Sequence, residues 1–114
     1  MGTIARHKGG TLKQIEQGLA CFSCLSPTHF PNHFAQVFLV VAQHQPITYA
    51  ELEKAMGLSN SAISRTIAAL GKEHRKGTPG YGLCDVIKDP AEGRRHLVML
   101  TPKGEALKRQ LLSI

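Results

Sequence analysis

Apolar residues recur along most of this chain at helical spacing, and the recurrence lapses over one stretch past its middle. Leu12, Ile15, Leu19 and Phe22 fall on one side of a helix within TLKQIEQGLACF, which predicts a first amphipathic helix. Gly18 inside it costs about 1 kcal/mol relative to alanine and is read as a point of close packing against another chain. Two prolines in SPTHFP, residues 26–31, break that helix. From Asn32 to His44, Phe34, Val37, Phe38 and Val41 follow the i, i+3, i+4, i+7 pattern. Leu39, Val40 and Ala42 widen the stripe almost all round, so this is the expected central buried helix. Asn32 is placed to cap it and Pro46 to follow its end.

Thr48-Tyr49-Ala50-Glu51 has the form of a capping box: the threonine hydroxyl takes a backbone N–H and the glutamate reaches back. A short helix to Met56 should bury Leu52, Ala55 and Met56. Gly57 supplies a tight turn, and Leu58 plugs the angle between helices. Ser59 caps a further helix that buries Ile63, Ile67, Ala68 and Leu70. Two short helices joined at a glycine make a helix-turn-helix, with a plain helical hairpin in a bundle as the alternative. After Gly71 the period changes. GKEHRKGTPGYG, residues 71–82, is basic, rich in glycine and loop-like. Leu83–Lys88 and His96–Thr101 read as strands joined by DPAEGRR, residues 89–95, hence a hairpin with a polar tip. Thr101-Pro102 opens a last helix, with proline at its first position and Ala106, Leu107, Gln110 and Leu111 following. The fold class is mostly α with a small β-hairpin wing (α+β), a winged helix-turn-helix. One domain over 11–114 follows a loose tail at 1–10, in keeping with a length of 114 residues.

Charge changes the picture next. Lys+Arg number 14 against 8 Asp+Glu, a formal net charge of +6, and the pI is near 9.6. Such a balance leans toward polyanionic partners. With no Trp and 5% aromatics, base stacking on single strands is disfavoured. The front of the helix after Leu58 carries short side chains, Asn60, Ser61, Ala62 and Ser64, with Arg65 directly behind. A helix that only filled a core would place bulk there; this one presents a slim polar edge suited to a groove.

ITYAELEKAMGLSNSAISRTIAAL, the following GL, and DPAEGRRHLVMLTPKGEAL closely resemble the MarR family of transcriptional regulators, over residues 32–107. The resemblance implies a homodimer on pseudo-palindromic double-stranded DNA, acting as a repressor, with recognition helices (59–70) in successive major grooves and wings (83–101) in the flanking minor grooves. Asn60, Ser61, Ala62, Ser64 and Arg65 then face base edges; asparagine pairs bidentately with adenine and arginine with guanine, each worth roughly 1–3 kcal/mol of discrimination. Ser59, as cap, leaves the positive helix end toward a phosphate. Arg94 or Arg95 enters the minor groove, oriented by Asp89 or, alternatively, Glu92. The spacer between Leu70 and Gly82 is longer than the family's and carries Lys72, Arg75 and Lys76. It either lengthens the recognition helix, forms a loop gripping the phosphate backbone, or is a solvated excursion. Family dimers are built from terminal helices, here 11–24 and 103–114, through Leu12, Ile15, Leu19, Leu107, Leu111 and Leu112. Many relatives bind a small-molecule effector between these helices and the DNA-binding lobe, but so little helical mass leaves scant room for a pocket.

Other chemistries find less support. Cys21 and Cys24 form a CxxC followed by His29 and His33, with spacing too tight for a zinc finger, so no metal is assigned. The pair reads first as small buried hydrophobes, with thiol-based redox sensing as the alternative. Three cysteines make no disulfide framework. GTPGYG, residues 77–82, lacks the preceding strand and Lys-Ser/Thr pair of a P-loop, and the six histidines form no catalytic set, so neither enzyme nor cofactor is expected. MGTIARHKGG has no signal-peptide core, Arg6 stands where a myristoylation motif wants Ser or Thr, and no run approaches membrane-span length. A cytoplasmic, nucleoid-associated protein follows as the expectation. A winged helix used for docking other proteins is the competing class, because fold alone does not separate the two.

Overall fold

The computed structural model describes residues 2–26, 30–75 and 78–114, with the backbone alone described over 2–10, 73–75 and at 78. In chain order the elements are α1 (Gly2–Ser23), α2 (Asn32–His44), β1 (Ile47–Thr48), α3 (Tyr49–Met56), α4 (Asn60–Leu70), β2 (Glu73–Arg75), β3 (Thr78–Pro79), β4 (Cys84–Lys88), β5 (His96–Leu100) and α5 (Pro102–Leu112). The α+β winged helix-turn-helix expected from the hydrophobic pattern is therefore present. No helix is long and apolar enough to cross a membrane among the described residues.

Helix α2 runs through the middle. Its Val37, Phe38 and Val41 are fully buried, and they share one core cluster with Leu52 of α3, Ile63, Ile67 and Leu70 of α4, Leu83, and Val98 of β5. Pro31, not Asn32, occupies the N-cap position, and no side chain caps that end. Asn32 lies one residue inside the helix, where its side chain is past the reach of a cap. Fixed φ suits proline to a helix entrance.

The capping box of α3 is complete: Thr48 Oγ1 accepts from Glu51 N at 3.1 Å, while Thr48 N donates to Glu51 Oε1 at 3.0 Å. The helix ends at Gly57 with φ +67°, a left-handed conformation that other residues adopt only at a cost. Ser59 Oγ then accepts from Ala62 N at 3.2 Å to start α4, and Thr101 Oγ1 accepts from Gly104 N at 3.0 Å to start α5. Such a cap is worth about 1 kcal/mol. Gly104 is required by space, since a Cβ there would stand 2.2 Å from the Leu83 carbonyl oxygen. That close approach seats α5 on the sheet.

Several expectations need correction. Helix α1 begins at Gly2, so the backbone of residues 2–10 is helical where the sequence pattern marks no element; propagating a nucleated helix is cheap where no proline stops it. Gly18 lies against the chain's own α5: a Cβ at Gly18 would stand 3.7 Å from Leu111 Cδ2. Ala55 is exposed, and Met56 and Ala68 are half-buried. Thr66 and Ala69 are buried in α4 instead, because the Thr66 hydroxyl satisfies itself on the Ala62 carbonyl at 2.9 Å.

The sheet is also larger than a hairpin. Strand order is β1-β5-β4, all antiparallel, with Ile47 opposite Val98 and Val98 opposite Val86. Residues 71–82 do not lengthen the recognition helix: α4 stops at Leu70, and β2 pairs with β3 in a second small hairpin. Backbone bonds from Tyr81 N to Ala69 O (2.9 Å) and Leu83 N to Leu70 O (2.7 Å) tie this excursion back to the end of α4. Tyr81 packs on Phe30 with ring centroids 4.9 Å apart.

Candidate nucleic-acid interface

Helix α4 sorts its residues by side. Ile63, Thr66, Ile67, Ala69 and Leu70 are buried, whereas Ser59, Asn60, Ser61, Ser64 and Arg65 are exposed and Ala62 is half-buried. The first turn of a helix leaves unpaired N–H groups and a positive dipole end. Ser59 satisfies one of these N–H groups. Arg65 has no hydrogen-bond or ion-pair partner among the described residues. It borders a groove of about 440 Å³ with Pro31, His33, Phe34, Leu58, Ala62 and Thr66.

At the wing, Asp89 and Arg95 close the tip. Arg95 Nε donates to Asp89 Oδ2 at 2.8 Å, and a terminal guanidinium nitrogen donates to the same oxygen. The other carboxylate oxygen accepts from Ala91 N at 2.9 Å, and Asp89 N donates to Arg95 O at 2.8 Å. Asp89 is buried, at 7% exposure. The Arg95 side chain remains 48% exposed. The guanidinium holds the Asp89 carboxyl below its ordinary value, and the carboxylate holds Arg95 above its own. Glu92 is a secondary partner, with its carboxylate 4.0 Å from Arg95, so Asp89 takes the supporting place. Arg94 is exposed and has no partner among the described residues.

Lys72 is exposed. Arg75 is described by its backbone only, and Lys76 lies outside the described residues. Of the residues assigned to pairing of two chains, Leu12 (67%), Ile15 (56%), Leu19 (52%) and Leu112 (75%) are exposed. Leu111 is half-buried against the core. Leu107 is 7% exposed and belongs to the core cluster, because seating α5 on the sheet turns it inward. A second open groove, about 560 Å³, lies between α2 and α5, bordered by Leu39, Ala42, Gln43, Lys108, Leu111 and Leu112 among others.

Cys21 is half-buried and Cys24 exposed, so this pair is not the set of buried hydrophobes expected. Cys84 is the buried thiol, and desolvation pushes it up to about 12. His29 lies outside the described residues, and no group of three metal-ligating side chains occurs among the described ones.

Solved structures share this arrangement. MepR from S. aureus, in complex with DNA, aligns at TM-score 0.66 and 17% identity, over 99% of this chain and 82% of its own. This is the MarR winged-helix fold. A MarR variant from E. coli complexed with operator DNA aligns at TM-score 0.61 and 24% identity, covering 90% of this chain and 69% of its own. The PcaV transcriptional regulator from Streptomyces coelicolor, in complex with its natural ligand, gives 0.61 and 23%, over 95% and 72%. No protein-family model and no curated protein matches the chain. Within the MarR fold, the helix-turn-helix is α3–α4 and the wing is β4–β5.

Sequence reasoning missed two residues that link these elements. Glu53 of α3 accepts a hydrogen bond from Asn60 Nδ2 at 2.9 Å. Gln45 accepts from Leu100 N at 2.8 Å and donates to Glu105 at 3.0 Å, joining the end of α2 to β5 and α5. Neither carries a local signal, since both partners are distant along the chain or across a turn.

Proposed function

We propose that the chain is a MarR-family transcriptional regulator that binds double-stranded DNA. Helix α4 enters the major groove, and the β4–β5 wing reaches the neighbouring minor groove. The observation that carries this reading is the division of α4: a packed apolar side against an exposed edge of Asn60, Ser61, Ser64 and Arg65. Short side chains admit close approach to base edges, and Asn60 and Arg65 supply the bidentate chemistry that distinguishes adenine and guanine. The net charge of +6 and an arginine-bearing wing add phosphate and minor-groove attraction. Neighbours of the same fold have been solved on DNA, which supports the reading.

The protein acts as a homodimer on a pseudo-palindromic site, with α1 and α5 supplying the apolar contact through Leu12, Ile15, Leu19, Leu111 and Leu112. Occupancy of a promoter represses without further machinery, so repression is the mode. Lys72 and the β2 and β3 strands lie beyond the far end of α4, and Lys72, Arg75 and Lys76 add backbone contacts.

A salt series of gel shifts tests this. If six or more phosphates are neutralised per dimer, affinity falls by about a thousandfold from about 50 to about 200 mM salt. A flat response, or no binding to any duplex in a randomised pool, overturns the reading in favour of a protein-docking winged helix.

A further inference from the structure

The α3–α4 turn places a carboxylate against the leading residue of the exposed α4 edge. Glu53 sits in the last turn of α3, where its backbone carbonyl accepts the capping N–H of Gly57 at 2.8 Å. Its Oε2 accepts from Asn60 Nδ2 at 2.9 Å, and it makes no ion pair among the described residues. The dipole of its own helix does not account for it, since an acidic group is unfavourable at a helix C-terminus. The contact across the turn does: the carboxylate lies beside the first residue of α4, the positive end of the next helix.

An ionised carboxylate offers acceptors only, whereas a carboxamide has a donor end and an acceptor end. Glu53 therefore admits one orientation of the Asn60 amide, with the NH2 group toward α3 and Oδ1 turned away. The reversed amide would set oxygen against oxygen. One N–H is used by Glu53; the other N–H and Oδ1 remain as the donor–acceptor pair that adenine N7 and N6 require.

Resting on the DNA-binding reading above, we infer that Glu53 is a positioning residue that sets the base preference of Asn60 by fixing its amide orientation. Glu53 itself touches no base. Without it, the exposed amide turns freely, and the donor–acceptor order presented to a base edge is no longer unique.

Selection of bound duplexes from a randomised pool, with full-length wild type, Asn60→Ala and Glu53→Gln, tests this. Glutamine matches glutamate in size but presents either an oxygen or an NH2 group, so it removes the constraint while leaving the fold alone. Asn60→Ala locates the base pair at which adenine preference is lost. Glu53→Gln is expected to reduce that preference at least threefold at the same position and to leave the other positions unchanged. Melting temperature is read alongside. An unchanged preference, or a change in affinity equal across all sequences, overturns the inference and leaves Glu53 as a helix-end or electrostatic group. Wild type that selects DNA without adenine enrichment at the Asn60 position overturns it as well. Wild type that binds no duplex removes the function itself, and this inference with it.

Discussion

Arg95 donates twice to Asp89 across the wing tip, while the adjacent Arg94 has no partner among the described residues. The two neighbouring arginines, equivalent in the chain, are thus unlike in the fold. A guanidinium has five N–H donors; two bonds to Asp89 leave donors on its exposed face for a groove floor. Orientation by Asp89 reduces what must be ordered on binding.

Replacing Arg94 and Arg95 together by alanine is expected to weaken DNA binding by about tenfold or more, with Arg95 accounting for most of the loss. Asp89→Asn lowers affinity less, because the arginine survives without its guide. Fluorescence anisotropy with each single variant checks the order. Equal losses from Arg94→Ala and Arg95→Ala would show that orientation by Asp89 contributes nothing.

Acid should loosen both the wing and the start of α3. The Glu51 carboxyl is held below its ordinary value, mainly by the Thr48 backbone N–H, and Asp89 mainly by Arg95. For a carboxylate lowered on folding, the stabilisation is present above the unfolded value, about 4. It is lost as pH falls through the folded value. Thermal melts from pH 7 to pH 3 should therefore show a decline below about pH 4 that is shallower in Glu51→Gln and Asp89→Asn. Parallel curves for all three proteins would contradict it.

Three apolar residues of the terminal helices, Leu107, Ile15 and Leu19, should separate association from stability. Leu107 is packed in the core, so Leu107→Ala should cost about 2–5 kcal/mol of folding free energy in denaturant titrations. Leu19 and Ile15 are more than half exposed. Ile15→Asp or Leu19→Asp should change monomer stability by no more than about 0.5 kcal/mol, yet shift the sedimentation profile from dimer to monomer. A wild-type profile that is monomeric at all concentrations would refute the homodimer.

Thiol labelling should divide the cysteines. Cys84 is buried and its thiol is pushed up to about 12, so it stays protonated and shielded. Cys24 is exposed and Cys21 half-buried. Native protein at about pH 8 should label at Cys24 first and at Cys84 only after unfolding. Fast labelling of Cys84 in native protein would mean that β4 opens readily.

The helices were legible because their determinants are local. Periodicity marks the buried side of α2, the capping box marks the start of α3, and Thr101-Pro102 marks the start of α5; each depends on residues a turn or two apart. The exposed polar edge of α4 could be read the same way, by subtracting Ile63 and Ile67 from its surface. Strand β1 could not, because two residues have no period of their own and pair only once β5 is beside them. The β2–β3 hairpin was hidden likewise in a segment whose composition reads as loop.

Amino-acid order alone thus determined where α3, α4 and α5 begin, which side of each is apolar, and that a polar, cationic edge follows Leu58. Tertiary structure decided which arginine Asp89 holds, that Leu107 turns inward while Leu112 stays out, and that Glu53 meets Asn60. The reason is one of range. Capping and periodicity act within a few residues, whereas these choices depend on which surfaces the packing of α5 on the sheet, and of α3 against α4, brings within hydrogen-bond or van der Waals reach.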